Sequence, residues 1–383
     1  MNRRDFVTAM GAATVTSMLP IPAFARTADY ARLLVLVELK GGNDGLNTVV
    51  PYADGAYYAL RPNIGIARDR VLQLDERTGL HPSLEPLMAP WKDRELAVVQ
   101  GVGYPAANLS HFRSIEIWDT ASKSNEYLSA GWLARAFVTA PTPASFAADG
   151  VIVGGAEMGP FAGGARAIAV TDTERFLREA RLAQPGPQGR NPALVHILKV
   201  ERDIVQAAAH LHADHVYATA FPGTPFGNAV RTAAQVIAGK AGIAAVKVSL
   251  NGFDTHSNQP GTQARLLKDL ADGLAALKAA LVEIGRWNST LVMTYAEFGR
   301  RPRENRSNGT DHGTANAHFL LGGRIKGGVY GPPPALNSLD GNGNLPFAVD
   351  FRDLYATVLG GWWGIDASRA LNGRFSPLDL LKA

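Results

Sequence analysis

The sequence predicts an α/β fold with a large, mostly parallel sheet sandwiched between helices. Three observations carry that reading. Short, nearly continuous apolar runs at 33–39 (LLVLVEL), 96–100, 244–250 and 290–295 read as strands buried on both faces. Helical stretches fall between the runs, and strand–helix–strand crossovers build parallel sheets covered on both sides. The composition is that of a compact, loop-rich chain: 46% hydrophobic and 19% charged residues with 40 Gly and 23 Pro in 383 residues exclude a disordered chain, a collagen and a coiled coil.

Taken in order, the first 25 residues read as an address. Arg3-Arg4 precedes a modestly apolar stretch at 7–19, and Ala23-Phe24-Ala25 supplies a small-x-small cleavage site, so a twin-arginine signal peptide is expected over 1–25. The remaining 26–383 is expected to be one domain. Its first strand ends in Gly41-Gly42. A helix is expected at 82–91, the second strand at 96–100, and a helix from about Ser110. Pro- and Gly-rich pieces at 141–150 and 185–192 bracket a change of pattern, read with a helical stretch from Ala193 to about Ala220 as an inserted cap at about 141–225. The alternation resumes with a strand at 244–250, a helix at 262–285, a strand at 290–295 and a short strand near 319–321. No later segment reaches about 18 uninterrupted apolar residues, so no membrane span is expected after signal removal.

In an open α/β sheet the ligand crevice lies beyond the carboxyl ends of the strands. Polar residues gather at those ends. The first strand is followed by Asn43-Asp44-Gly45 and the second by Asn108-Leu109-Ser110-His111. Asp254-Thr255-His256 follows the third; Glu297, Arg300 and Arg301, then Asp311-His312 and His318, follow the fourth. Each piece has a plain structural use: Asp44 as a turn residue, Ser110 as an N-cap, the arginines as a solvated loop. Their shared location favours a site. His210, His212 and His215 lie elsewhere and read as a solvated face.

With no cysteine in the chain, disulfides, iron–sulfur clusters, thiolate zinc and cysteine nucleophiles are excluded. A metal must then be held by imidazole and carboxylate, a donor set suited to a divalent cation such as zinc, calcium, magnesium or manganese. Such ions assist ester hydrolysis, a serine at a helix start is a candidate nucleophile, and Arg300 and Arg301 suit the remaining phosphoryl or sulfuryl oxygens. The formal charge of +4, or +3 without Arg3, Arg4 and Asp5, is too mild to indicate nucleic acid as a partner.

The leader together with residues 38–52 (ELKGGNDGLNTVVPY), 110–114 (SHFRS), 252–256 (GFDTH), 297–301 (EFGRR) and 310–313 (TDHG) resembles the family called domain of unknown function 1501 over nearly the whole chain. That family is distantly similar to the alkaline phosphatase and sulfatase superfamily. The resemblance implies an alkaline phosphatase-like fold, Ser110 as nucleophile and a two-metal site with Asp254 and His256 on one metal. The superfamily spaces that pair Asp-x-x-x-His, whereas this chain has Asp-x-His. The superfamily's Asp-His-Gly motif aligns either with Glu297-Phe298-Gly299, making Glu297 a ligand, or with Asp311-His312-Gly313, with His318 as the last histidine. The expected ligand set is thus Asp44, Asp254, His256, Glu297, Asp311, His312 and His318, and the expected catalytic set is Ser110, Arg300 and Arg301.

The expectation is an exported, periplasmic or secreted, metal-dependent hydrolase acting on a small-molecule, glycan or lipid ester of phosphate or sulfate. The competing expectation is a non-catalytic binding or accessory protein on the same fold with a degenerate metal site. The sequence leaves the oligomeric state open.

Overall fold

The structure is a computed structural model that describes residues 28–170, 215–239 and 242–382. The leader, His210, His212 and most of the expected cap lie outside the described residues.

Among the described residues, nine strands form the main sheet. They are β1 (Leu33–Lys40), β2 (Leu96–Gly103), β3 (Gly150–Val153), β4 (Ala167–Val170), β5 (Ala245–Asn251), β6 (Thr290–Tyr295), β9 (Asn316–Leu321), β10 (Gly328–Tyr330) and β11 (Val349–Asp350). A separate two-residue ribbon pairs β7 (Gly299–Arg300) with β8 (His312–Gly313). The order is β10-β2-β9-β6-β1-β5-β3-β4, with β11 also beside β2. β9 runs antiparallel to β2 and β6, and the other pairings in the sheet are parallel, as in β1 with β5 and β6. The expected mostly parallel sheet between helices is therefore what the chain forms.

Both faces are covered, which explains why the strands read as continuous apolar runs. Leu33, Val35, Val37 and Leu39 of β1 pack in a core with α3 (Pro225–Ala238) and α4 (Gln259–Glu283). Leu34 and Leu36 face α1 (His111–Thr120), α2 (Trp132–Thr139) and α5 (Phe351–Ala356).

The structure differs from the expected elements in three places. At 82–91 the chain makes 3₁₀ turns at Pro82–Leu87 before a short helix at Met88–Lys92, because Pro86 removes an amide donor inside the stretch. Within the expected cap, β3 and β4 join the main sheet as its edge; four residues each, they are too short to show a period amid Gly and Pro. Residues 215–220 are not helical.

One charge network is sealed in the second core. Lys247 Nζ lies 2.9 Å from Glu38 Oε2, which also accepts from Ser249 Oγ at 2.9 Å. Asp119 is partly exposed as a residue, but its Oδ1 is shut off from solvent. Burial, with repulsion from Glu38 and Glu157 and against attraction by Lys247, pushes its carboxyl up to about 8. A carboxyl raised from about 4 in the unfolded chain contributes full stability below that pH, and the contribution is gone once pH passes about 8. Asp119→Asn should therefore gain on the wild type as pH rises from 4 to 8, by up to about 1.4 kcal/mol per unit, read by denaturant unfolding at each pH. A pH-independent difference between the two proteins would contradict this.

Candidate metal centre

The site lies at the carboxyl ends of β1, β2, β5 and β6. Their loops approach so closely that Gly41, at φ +110°, has no room for a side chain: a Cβ would stand 2.4 Å from the Asp254 amide. The Gly41 N–H donates to Glu297 Oε1 at 2.8 Å.

Three histidines turn Nε2 toward Asp254. His312, on β8, donates Nδ1–H to the Leu109 carbonyl at 2.8 Å; since a carbonyl only accepts, Nε2 carries the lone pair. Burial draws His312 below its ordinary value against that hydrogen bond, so the ring is neutral at pH 7 and competent to ligate. His111, the first residue of α1, has Nδ1 2.9 Å from Glu297 Oε1 and Nε2 3.4 Å from Asp254 Oδ2. His256 sets Nδ1 3.4 Å from Asp311 Oδ1 and Nε2 3.1 Å from Asp254 Oδ1. Asp254 Oδ1 is also 3.2 Å from His312 Nε2.

His111, Asp254 and His312 offer ligand atoms mutually within 4.8 Å, and His256 Nε2 stands 3.0 Å from His312 Nε2. With His312 fixed as an acceptor, two ring nitrogens and a carboxylate oxygen this close attract only through a proton on His256 or a cation among them. An outer carboxylate or carbonyl on Nδ1, with Nε2 turned inward, is how metal-binding histidines are held. The donor set therefore fits a divalent cation.

The carboxylates are tuned for the role. Burial raises Asp254, but the hydrogen bond and charge of Arg300 and the contacts of His312 and His256 overcome it and hold the carboxyl at about 2. Burial likewise opposes ionisation of Asp311. Hydrogen bonds from Asn305 and His256 and the charges of His256 and Arg301 still bring it below its ordinary value.

Not every expected residue comes here. Asp254, His256 and His312 meet directly, while Asp311 and Glu297 stand behind them as hydrogen-bond partners of His256 and His111. Asp44 does not join. It is fully buried against Arg61, Nη1 to Oδ2 2.5 Å, and caps a short helix through Leu46 N–H. His318 does not join either: it lies wholly buried on β9 with its ring 5.3 Å from that of Trp118, and burial drives it to about 3. Arg300 is buried and points its guanidinium at backbone, donating to the carbonyls of Gly41, Gly42, Phe253 and Thr310 as well as to Asp254. Its donors are spent tying three loops together, so it is not a free clamp for an ester. Arg301 has its Nε buried without a partner among the described residues.

Ser110 is exposed at the start of α1 and makes no side-chain cap to the helix, leaving its hydroxyl uncommitted. The ligand missed from sequence is His111. Its signal is a histidine opening a helix directly after a strand-end loop, beside a serine that fits the same position as a nucleophile. His215 lies apart from the site, 3.1 Å from Glu283 at the end of α4.

Fold and site together define a mostly parallel α/β protein with a histidine–carboxylate centre at the carboxyl edge of its sheet. The chain belongs to the DUF1501 family, described as a protein of unknown function, whose model matches residues 67–374. No curated protein matches the chain. Solved structures to which it is similar include a protein of the alkaline phosphatase superfamily from Vibrio parahaemolyticus (12% identity, TM-score 0.44, covering 91% of this chain and 70% of that one). The C-terminal periplasmic domain of EcEptC from Escherichia coli is another (11% identity, TM-score 0.40, 89% of this chain and 86% of that one). A third is the lipoteichoic acid synthase LtaP from Listeria monocytogenes (10% identity, TM-score 0.38, 90% of this chain and 76% of that one).

Proposed function

We propose that the chain is a divalent-metal-dependent hydrolase of phosphate or sulfate esters, exported by the twin-arginine route, with Ser110 as nucleophile. The observation that carries this is the inward turn of Nε2 from His111, His256 and His312 onto Asp254, with every Nδ1 anchored from behind. Three imidazoles and one carboxylate favour zinc or another transition ion over calcium or magnesium. When bound, the metal would supply Lewis-acid polarisation of an ester oxygen.

The chain's own groups divide the remaining work. Ser110, next to His111 at the positive end of a ten-residue helix, would attack the ester, and the helix end would favour its anionic form. Arg301, whose charge bears on Asp311 behind His256, is the cation assigned to the remaining ester oxygens. The Arg3-Arg4 leader supports export, and no helix among the described residues is long and apolar enough to cross a membrane.

Ser110→Ala should lower turnover of an aryl phosphate or sulfate by about three orders of magnitude or more. Since Ser110 makes no cap, stability should stay within about 0.5 kcal/mol of wild type. Full activity in this variant would remove Ser110 from the role. The engagement of Asp44 with Arg61 takes a carboxylate from the expected ligands and favours, as a second reading, an accessory protein with a reduced site. Absence of both metal uptake and turnover over a panel of aryl esters would decide for it.

A further inference from the structure

A cavity of about 300 Å³ adjoins the histidine–carboxylate centre. Tyr104, Leu109, Thr314, Asp340, Asn342 and Phe347 line it. It shares a wall with the centre, because the Leu109 carbonyl holds His312 and Thr314 lies two residues beyond that histidine. We propose that this cavity is the subsite for the organic part of the ester, and that this part is a neutral, hydroxyl-rich ring, that is, a sugar. The inference rests on reading the centre as ester-hydrolysing.

Size and charge narrow the ligand first. The volume is at the lower end of small-molecule sites, about 300–1,000 Å³, and so suits one ring better than a chain of them. Neither Lys nor Arg lines the cavity, and the single charge on its wall is the Asp340 carboxylate. A second anion placed there would be repelled by that carboxylate, offset only by the Arg301 charge that Asp340 already feels.

Hydrogen-bonding capacity narrows it further. Asp340 Oδ1 accepts the amides of Asn342 and Asn344, and Oδ2 accepts Asn344 Nδ2 at 3.1 Å, so the loop is braced and the carboxylate held ionised, an acceptor only. Asn344, which lines the cavity, has its Oδ1 buried with no donor among the described residues. Asn342, exposed, adds an amide that both donates and accepts. This surplus of acceptors calls for several hydroxyl donors. Phe347, 36% exposed, offers the apolar surface on which the C–H face of a sugar ring packs. An acyl chain would satisfy the aromatic ring and leave the acceptors unmet.

Ligand-observed NMR titration of the purified full chain tests the proposal, with glucose, galactose and N-acetylglucosamine as neutral probes, glucuronate as the anionic one and ethanolamine as the cationic one. A neutral sugar should saturate at millimolar concentration, with glucuronate about tenfold weaker, and chelator should leave both results unchanged. Asn342→Leu and Phe347→Ala should each weaken sugar binding about tenfold at unchanged melting temperature. No saturable sugar binding up to about 100 mM, indifference to both substitutions, or preference for ethanolamine would overturn the subsite. Aryl phosphate and sulfate turnover on the same preparations separates the two readings. Turnover without sugar binding removes the subsite and keeps the hydrolase, whereas sugar binding without metal uptake or turnover keeps the sugar site and removes the hydrolase.

Discussion

Asp254→Ala should weaken zinc binding by on the order of 100-fold or more and abolish ester turnover while the protein stays folded. Loss of a group behind a metal ligand typically costs about 10–100-fold in affinity, and Asp254 stands in front, its two oxygens shared among all three histidines. The fold should survive because the side chain is 46% exposed and Arg300 keeps the carbonyls of Gly41, Gly42, Phe253 and Thr310 when it goes. Glu297→Gln is the graded comparison. It keeps an oxygen for the Gly41 amide and the His111 ring but removes the charge, so affinity should fall by about tenfold. Titration calorimetry with zinc, beside elemental analysis of protein purified without chelator, reads both. Wild-type zinc affinity in Asp254→Ala would end the assignment of this centre.

The parts of the fold legible in the sequence are those whose apolar pattern is long enough to show. The eight-residue run of β1 and the 25-residue α4 declare themselves, because each buries a continuous face. β3 and β4 do not, and the reversal of β9 leaves no trace in composition, since a strand buried on both faces looks alike in either direction. At the site, sequence located the right sheet edge and the Asp254, His256 and His312 group. It could not say which polar residues face inward. Side-chain direction at a loop depends on backbone turns such as the one at Gly41, and the anchor of His312 is a carbonyl that every residue carries. Arg61 was invisible for a similar reason. It comes 17 residues after Asp44 in sequence, and only the folded chain brings the two together.

That pair yields the largest expected loss of stability. In Asp44→Ala the Arg61 guanidinium remains charged and buried, its Nη1 bond to Oδ2 at 2.5 Å and its Nη2 bond to Oδ1 at 3.0 Å both gone. Removing one partner of a buried pair costs about 3–5 kcal/mol, much of a total stability of about 5–15 kcal/mol. Gln259 Nε2, 2.5 Å from Oδ2, and the Leu46 amide lose their acceptor as well, so α4 is loosened at its first turn. Asp44→Asn, which keeps an oxygen but not the charge, should fall between the two and remain foldable. Replacing both members, Asp44→Leu with Arg61→Met, should cost less than the two single changes added together, because no charge is stranded. Chemical denaturation gives these differences, and zinc titration of the same proteins tests the placement. A stability loss with unaltered zinc affinity is expected if Asp44 is a structural carboxylate. Intact stability with lost zinc binding would return it to the metal.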